Sequence, residues 1–310
     1  MTRFQRVLLL MMCSLLSAAA GAQAQAPDIK WALRIQEQYV TEHNVSYSRA
    51  GNYESRLDVY AFRDDKPRPT LIYIHGGGWL PGFTKDMSTL GLLPFLQMGW
   101  NVVNVDYRPA DVALAPAAVE DCLCALKWVF QNAKKYNFDT RQVVVMGHSA
   151  GGHLALTTGL ISATDRLNGP CRTSDILSPL KEPIKIAAVV NWFGITDVAD
   201  IAQGPNEKSY AVMWLGSQTN RMEIAKQTSP LTHVREGLPP VITVHGEKDP
   251  VVPYAHGIKL HEQLTKAKVA NRLYTIAGGG HGGFSIDDTA KAYAAIFDFL
   301  TKAGINVNPK

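Results

Sequence analysis

The chain has 310 residues, 46% hydrophobic and 19% charged, with 31 Lys and Arg against 27 Asp and Glu and a net charge of +4. That is enough apolar material to bury a large core, and the composition is that of an ordinary globular protein. No block of like charge occurs, so neither nucleic acid nor an anionic membrane surface is implied as a partner.

At the N-terminus, Arg3 and Arg6 precede an apolar run, Val7 to Leu16, and small residues ending Ala22-Gln23-Ala24. This is the order of a secretory signal peptide spanning residues 1–24, and it predicts an exported protein, periplasmic or secreted. The run is too short to span a bilayer and no later stretch is long enough, so no stable membrane anchor is expected. Cys13 follows Met11 and Met12, where a lipidated cysteine would have small residues. Removing Arg3 and Arg6 and no acid takes the charge from +4 to +2. Of the four cysteines, Cys122, Cys124 and Cys171 remain, and their spacing fits no metal site. Positions 122 and 124 point about 200° apart on a helix and cannot pair with each other. The two are expected as buried free thiols, with the alternative that one of them pairs with Cys171 in an oxidising compartment.

The rest of the chain, residues 25–310, alternates strand and helix signals. Trp31 to Glu42 reads as a short helix. Asn44 to Ser48 and Leu57 to Phe62 read as an antiparallel edge pair around Gly51-Asn52. Thr70 to Ile74, Trp100 to Val105, Val143 to Met146, Ile186 to Trp192, Pro239 to Val244 and Arg272 to Ile276 read as strands, the purely apolar ones being buried on both faces. Between them, Ala117 to Tyr136, His153 to Leu160, Tyr254 to Ala267 and Thr289 to Thr301 carry helical patterns. The residues from Thr164 to Pro183 read as loop, and Val198 to Pro230 as a loosely patterned insertion, either a small cap over the strand ends or a plain helical connection. The alternation predicts an α/β fold in one domain: a mostly parallel sheet of about eight strands with helices on both faces.

Chemistry concentrates in the loops that follow these strands. Gly147-His148-Ser149-Ala150-Gly151 sits between an apolar strand and a helix, the context of a nucleophile elbow. His75-Gly76-Gly77-Gly78-Trp79 follows a buried strand, and its glycines can turn backbone N–H groups toward one point. It has neither the Lys-Ser/Thr ending of a phosphate-binding loop nor a dinucleotide fingerprint. Gly77, Gly78 and Ala150 are the candidate oxyanion donors, and His75 is expected to order the loop. Asp249, in the loop after Pro239 to Val244, and His281, in the glycine-rich loop after the last strand, complete the order Ser149, Asp249, His281. A serine hydroxyl needs such a base, held in the right tautomer by a carboxylate. Glu247 and Asp197 are the competing acids, Asp197 being better suited to capping a helix. The other histidines, His148, His153, His245, His256 and His261, read as neighbours of turns or helix surfaces. Trp79, Trp192 and Trp214 are candidates for lining a substrate pocket, against the plainer reading of large aromatics in the core.

Together, His75-Gly76-Gly77-Gly78-Trp79, Asp106-Tyr107-Arg108, Gly147 to Ala155, His245-Gly246-Glu247-Lys248-Asp249 and Gly280-His281 resemble the α/β-hydrolase superfamily. Within it they look most like the esterases related to hormone-sensitive lipase and the bifunctional feruloyl and acetyl-xylan esterases. The resemblance covers roughly Val45 to Leu300. It implies a serine carboxylesterase that needs no metal or organic cofactor and whose partner is a small-molecule or carbohydrate ester. An aryl formamidase or other amide hydrolase, and a catalytically silent binding protein of the same fold, are the alternatives. Nothing in the pattern signals an oligomeric state.

Overall fold

The computed structural model describes residues 30–161, 165, 167, 171 and 184–309. The signal peptide expected over residues 1–24 lies outside the described residues, as does most of the loop expected over 164–183. The chain divides into two compact units, residues 1–37 and 38–310. Of the first, residues 30–37 are described, within helix α1 (Lys30–Gln38). The sheet lies in the second.

Eight strands form one sheet: β1 (Tyr39–Ala50), β2 (Tyr53–Phe62), β3 (Arg68–Ile74), β4 (Asn101–Val105), β5 (Phe138–His148), β6 (Ala188–Trp192), β7 (Val241–Gly246) and β8 (Asn271–Ile276), in the spatial order β1-β2-β4-β3-β5-β6-β7-β8. β1 and β2 pair antiparallel, β2 joins β4 antiparallel, and every later pairing is parallel. Strand β3 is buried along its whole length, as β4, β6 and β7 are. Helices α3 (Ala117–Gln131) and α5 (Ala150–Leu160) bury most of their residues, and α9 (Ala255–Lys266) and α10 (Ile286–Lys302) bury one face each. A parallel sheet needs such cover on both faces, which explains its uninterrupted apolar strands.

Four features differ from the sequence reading, each for a local reason. Tyr39 to Glu42 belongs to β1, not to the first helix; the Tyr39 hydroxyl reaches the carbonyls of Leu96 and Trp100 at 2.7 and 2.9 Å, an anchor that only the folded chain supplies. The helix expected over Ala117 to Tyr136 breaks at Asn132 into α3 and α4 (Ala133–Tyr136), where the Asn132 side chain donates to the Trp128 carbonyl at 2.9 Å. Asn137 then adopts a left-handed conformation, which asparagine tolerates, and turns the chain into β5 five residues before the expected strand. Short helix α2 (Leu93–Gln97) and a 3₁₀ turn over Lys85–Gly91 fill a stretch without a periodic pattern. Finally, Cys124 is disulfide-bonded to Cys171, with Cα atoms 5.6 Å apart, while Cys122 is a buried free thiol. Opposed directions on α3 separate their fates: Cys122 stays a buried thiol while Cys124 reaches the sulfur of Cys171.

The insertion at 198–230 holds three short helices, α6 (Val198–Ala202), α7 (Ser209–Leu215) and α8 (Arg221–Gln227). Because β3, β5, β6, β7 and β8 run parallel, the loops that leave their C-terminal ends gather along one edge of the sheet. Among the described residues, no helix is long and apolar enough to cross a membrane.

Candidate active site

Strand β5 ends at His148 and α5 begins at Ala150, so the whole reversal falls on Ser149, which takes φ 56° and ψ −121°. A serine held there is strained, and its neighbours keep it so: its N–H donates to the Trp192 carbonyl at 2.9 Å and its carbonyl accepts from His153 N–H at 3.0 Å. The turn closes tightly enough that a Cβ on Gly151 would collide with the carbonyls of Ile74 and His75. Glycine at 151 therefore lets α5 start directly against the end of β3.

The other two residues of the expected triad come to the same point. His281 Nε2 lies 2.9 Å from Ser149 Oγ, and His281 Nδ1 lies 2.7 Å from Asp249 Oδ2. A carboxylate can only accept, so Nδ1 carries the proton and Nε2 is left to accept from the serine hydroxyl. The second carboxylate oxygen, Asp249 Oδ1, accepts from the N–H groups of Val251 and Val252 at 2.8 and 2.9 Å. Burial alone would raise the Asp249 pKa; hydrogen bonds from His245, His281 and the Val252 N–H outweigh it and hold the carboxyl well below the usual range. Phe193, at the end of β6, meets the His281 ring edge-on with centroids 4.7 Å apart and limits its swing.

The glycine loop after β3 lies alongside, because Ile74 pairs with Gly147 in the β3–β5 ladder. Gly77, Gly78 and Trp79 take positive φ angles of 108°, 63° and 59° in succession. Among the described residues, no protein acceptor takes the N–H of Gly77, Gly78 or Ala150. His75 orders this loop: its Nδ1 bonds the Gly76 carbonyl at 2.7 Å and its ring stacks on Tyr107 at 4.3 Å. The Tyr107 hydroxyl in turn lies 3.2 Å from the carbonyls of both His75 and Gly76. Arg108 does not pair with Asp106; it binds Asp121 of α3, at 2.8 Å.

Glu247 and Asp197 stand apart from Ser149 chemistry. Glu247 accepts the Gly278 N–H at 3.0 Å and ties the two loops together, while Asp197 caps α6 through the Asp200 N–H. The three tryptophans are corrected: Trp79 and Trp214 have no exposed surface and Trp192 only 2%. Trp79 and Trp214 stack on one another at 4.1 Å, and Trp192 stacks on His148 at 5.2 Å. They brace the site from inside and offer a substrate no face.

What borders open space instead is a cleft of about 380 Å³, lined by Tyr73, Gly77, Phe83, Thr84, Met87 and His148 among others. Phe83 and Met87 are 48% and 66% exposed at its rim. Within it, Tyr73 shares a hydrogen bond of 2.8 Å with His148 Nδ1, and burial together with nearby His281 pushes the His148 pKa down to about 4. Of these cleft residues the sequence points only to Gly77 and, as a neighbour of the elbow, His148, since the loop and 3₁₀ turn that bring Phe83, Thr84 and Met87 here have no periodic signature. His245, four residues before Asp249, was also passed over; the run His245-Gly246-Glu247-Lys248-Asp249 contained the signal, a tight turn able to bring its two ends together. Among the described residues, no group of three His, Cys, Asp or Glu side chains could hold a metal ion.

The BD-FAE family model matches residues 57–264, about two thirds of the chain. Esterase LipC of Mycobacterium tuberculosis is 28% identical over 279 residues, which cover 87% of this chain and 66% of that protein. This chain likewise spans 60% of esterase LipQ from the same organism. Among solved structures, a truncated carbohydrate esterase from gut microbiota superposes with a TM-score of 0.70 at 26% identity, covering 86% of this chain and 98% of the other. Esterase Est2 of Thermogutta terrifontis does so with a TM-score of 0.71 at 24% identity over 88% and 96%, a likeness of fold. The chain belongs to the BD-FAE family of esterases with the α/β-hydrolase fold.

Proposed function

We propose that the chain is a serine carboxylesterase acting on short-chain or carbohydrate esters, with Ser149 as nucleophile, His281 as base and then acid, and Asp249 as the orienting carboxylate. The observation that carries this reading is the unbroken path from Ser149 Oγ through His281 to Asp249, at 2.9 and 2.7 Å. In the first half-reaction Ser149 attacks the ester carbonyl while His281 Nε2 takes its proton, and the same nitrogen then protonates the leaving alcohol. In the second half, water attacks the acyl carbon while His281 Nε2 takes its proton, and that proton then passes to Ser149 Oγ as the ester bond to the serine breaks and the acid leaves. Asp249 keeps Nδ1 protonated throughout and stabilises the imidazolium that forms.

The tetrahedral oxyanion is received by the N–H groups of Gly77, Gly78 and Ala150, each supplying about 3 kcal/mol in the transition state. One half of the ester occupies the cleft beside Gly77 and His148, between the exposed faces of Phe83 and Met87. The gut carbohydrate esterase and the mycobacterial esterase that this chain resembles support the substrate class. Residues 25–310 form the catalytic domain of an exported protein, a reading supported by the Cys124–Cys171 disulfide, which persists in oxidising compartments.

Replacing Ser149 by Ala should abolish hydrolysis of p-nitrophenyl acetate and labelling by a fluorophosphonate probe. Retained turnover would exclude Ser149 as nucleophile. A kcat/KM series from acetate to decanoate, beside methyl ferulate and acetylated xylan, then separates a polysaccharide deacetylase from a general esterase.

A further inference from the structure

We propose that His245 is a positioning residue for the triad acid: its Nε2–H holds the Asp249 carboxylate in the orientation that presents Oδ2 to His281. The proposal rests on the reading of Ser149, His281 and Asp249 as the hydrolytic machinery.

His245 lies in β7, one residue before its end, and both its side chain and that of Asp249 are without solvent exposure. Its Nε2 is 3.1 Å from the Val252 carbonyl oxygen and 3.3 Å from Asp249 Oδ2. A carbonyl accepts and never donates, so Nε2 carries the proton and Nδ1 is bare. Among the described residues, Nδ1 has no hydrogen-bond partner, and it lies where a Cβ on Gly257 would be only 3.2 Å away. The single Nε2 proton is thus shared between Val252 and Asp249.

The carboxylate consequently has four donors: Val251 and Val252 N–H on Oδ1, and His281 and His245 on Oδ2. Four is the number of lone-pair sites a carboxylate offers. With the site on Oδ2 facing His245 left empty, the buried carboxylate can pivot about its Cβ–Cγ bond, and the angle it presents to His281 loosens. A second effect follows from charge. Donation from His245 tempers the negative charge on the oxygen that His281 also uses. Without it, the His281 imidazolium is held more strongly and survives to higher pH.

The surrounding ionisable groups stay the same in every variant considered. His281 faces Ser149 and, from the elbow, His148. Asp249 faces Tyr210 of α7. His245 faces Tyr254, and His256 of α9, itself 3.1 Å from Asp200 of α6.

The test uses the geometry of amides. A glutamine at 245 can carry its side-chain nitrogen where Nε2 stands, whereas asparagine carries its nitrogen where Nδ1 stands. H245Q should therefore keep the donor and H245N lose it. For H245N we expect kcat/KM on p-nitrophenyl acetate to fall about tenfold, the scale of a hydrogen bond to a charged group, with the acid limb of its pH profile moved upward. H245Q should stay within about threefold of the parent with an unmoved limb, the mark of a restored donor. The pH midpoint of the His281 ring, followed by NMR in the parent and both variants, should move upward in H245N alone. Melting curves establish that each variant is folded; if H245N is not, H245M, which fills the space without a donor, replaces it. Equal losses in H245Q and H245N with unmoved limbs and midpoints would reduce His245 to packing and overturn the proposal. Because the ring titration needs no turnover, it decides the role of His245 even if the parent protein hydrolyses no ester, an outcome that would defeat the esterase reading separately.

Discussion

Tyr210 and Val251 join the helical insertion to the loop that carries Asp249. The Tyr210 hydroxyl donates to the Val251 carbonyl at 3.2 Å, and the Val251 N–H donates to Asp249 Oδ1 at 2.8 Å. The same side chain meets the glycine loop after β3: its ring lies 5.9 Å from that of Trp79, and a Cβ on Gly78 would stand 3.1 Å from its own Cβ. Lys208 adds a second link, from Nζ to the Pro250 carbonyl at 3.0 Å. One short helix thereby sets the spacing between the loop that carries Asp249 and the glycine loop after β3.

Removing the Tyr210 hydroxyl tests that spacing. Tyr210→Phe loses one hydrogen bond worth about 1 kcal/mol and should lower kcat several-fold with KM little changed. Tyr210→Ala removes the ring contact with Trp79 as well and should lower kcat further. Steady-state kinetics on p-nitrophenyl acetate read both, and parent-like kcat in the pair would show that the helix carries no positional information.

Gly77 is the position where backbone and contact arguments coincide. At φ 108° an L side chain is strained, and a Cβ there would collide with the ring of Phe83. Gly77→Ala should displace the Gly77 N–H from the reacting centre. Losing one oxyanion donor lowers kcat on the order of 10²- to 10³-fold. Fluorophosphonate labelling should slow in step, with an unchanged far-UV spectrum showing that the sheet persists.

The parts of the site legible in the sequence are those written in short runs. Strand, glycine-flanked Ser149 and helix are contiguous, and the loops with Asp249 and His281 each follow a strand of the parallel sheet, so parallel pairing alone gathers them on one edge. The parts that were not legible depend on partners distant in the chain. Trp79 and Trp214 look like pocket residues until the insertion folds back and stacks one on the other. Cys124 looks like a core thiol until Cys171, 47 residues on, bonds to it. Tyr39 has helical spacing from Trp31 and Ile35, yet its hydroxyl is drawn into β1 by carbonyls some sixty residues away. His245 reads as a turn neighbour because a single hydrogen bond across a turn leaves no periodic trace.

The stacked pair Trp79 and Trp214 makes a stability prediction. Both indoles are fully buried, and His153 meets each edge-on, at 4.9 and 5.5 Å. Trp214→Ala opens a cavity in that cluster and should cost about 3–5 kcal/mol. For a domain of this size the melting temperature should fall by roughly 10 °C. Differential scanning calorimetry measures it; an unshifted transition would mean that the insertion contributes nothing to the fold.

The disulfide closes a sequence separation of 47 residues between Cys124 and Cys171. In the chain-entropy account, a loop of that length restrains the unfolded chain by about 4 kcal/mol. A Cys124→Ser, Cys171→Ser double variant should therefore unfold at lower denaturant concentration than the parent. Unfolded without reductant, residues 25–310 should expose one reactive thiol, Cys122, and three after reduction. Three thiols before reduction would show that the bond does not form.

Two buried histidines predict how stability responds to acid. His153 Nε2 bonds the Thr228 carbonyl at 2.7 Å and His261 Nδ1 bonds Asn271 Oδ1 at 2.8 Å, so in each ring the other nitrogen is a bare lone pair, buried without a partner. Burial pushes His153 down to about 3 and His261 down to about 4, from an ordinary 6.5. Between pH 6.5 and these values the unfolded chain binds protons that the folded chain refuses, so stability must fall as pH falls. It is fully present above about pH 6.5, and each histidine removes up to about 1.4 kcal/mol per pH unit below it. Asp249 acts in the same sense, but its pKa is depressed from a carboxylate value, so its contribution is lost only below about pH 4. His153→Gln isolates one histidine: the amide nitrogen can still donate to Thr228, and it cannot take up a proton. Its unfolding free energy, followed by urea titration from pH 7.5 to 4.5, should decline less steeply than the parent's. A parallel decline would mean that His153 titrates in the folded protein much as it does in the unfolded one.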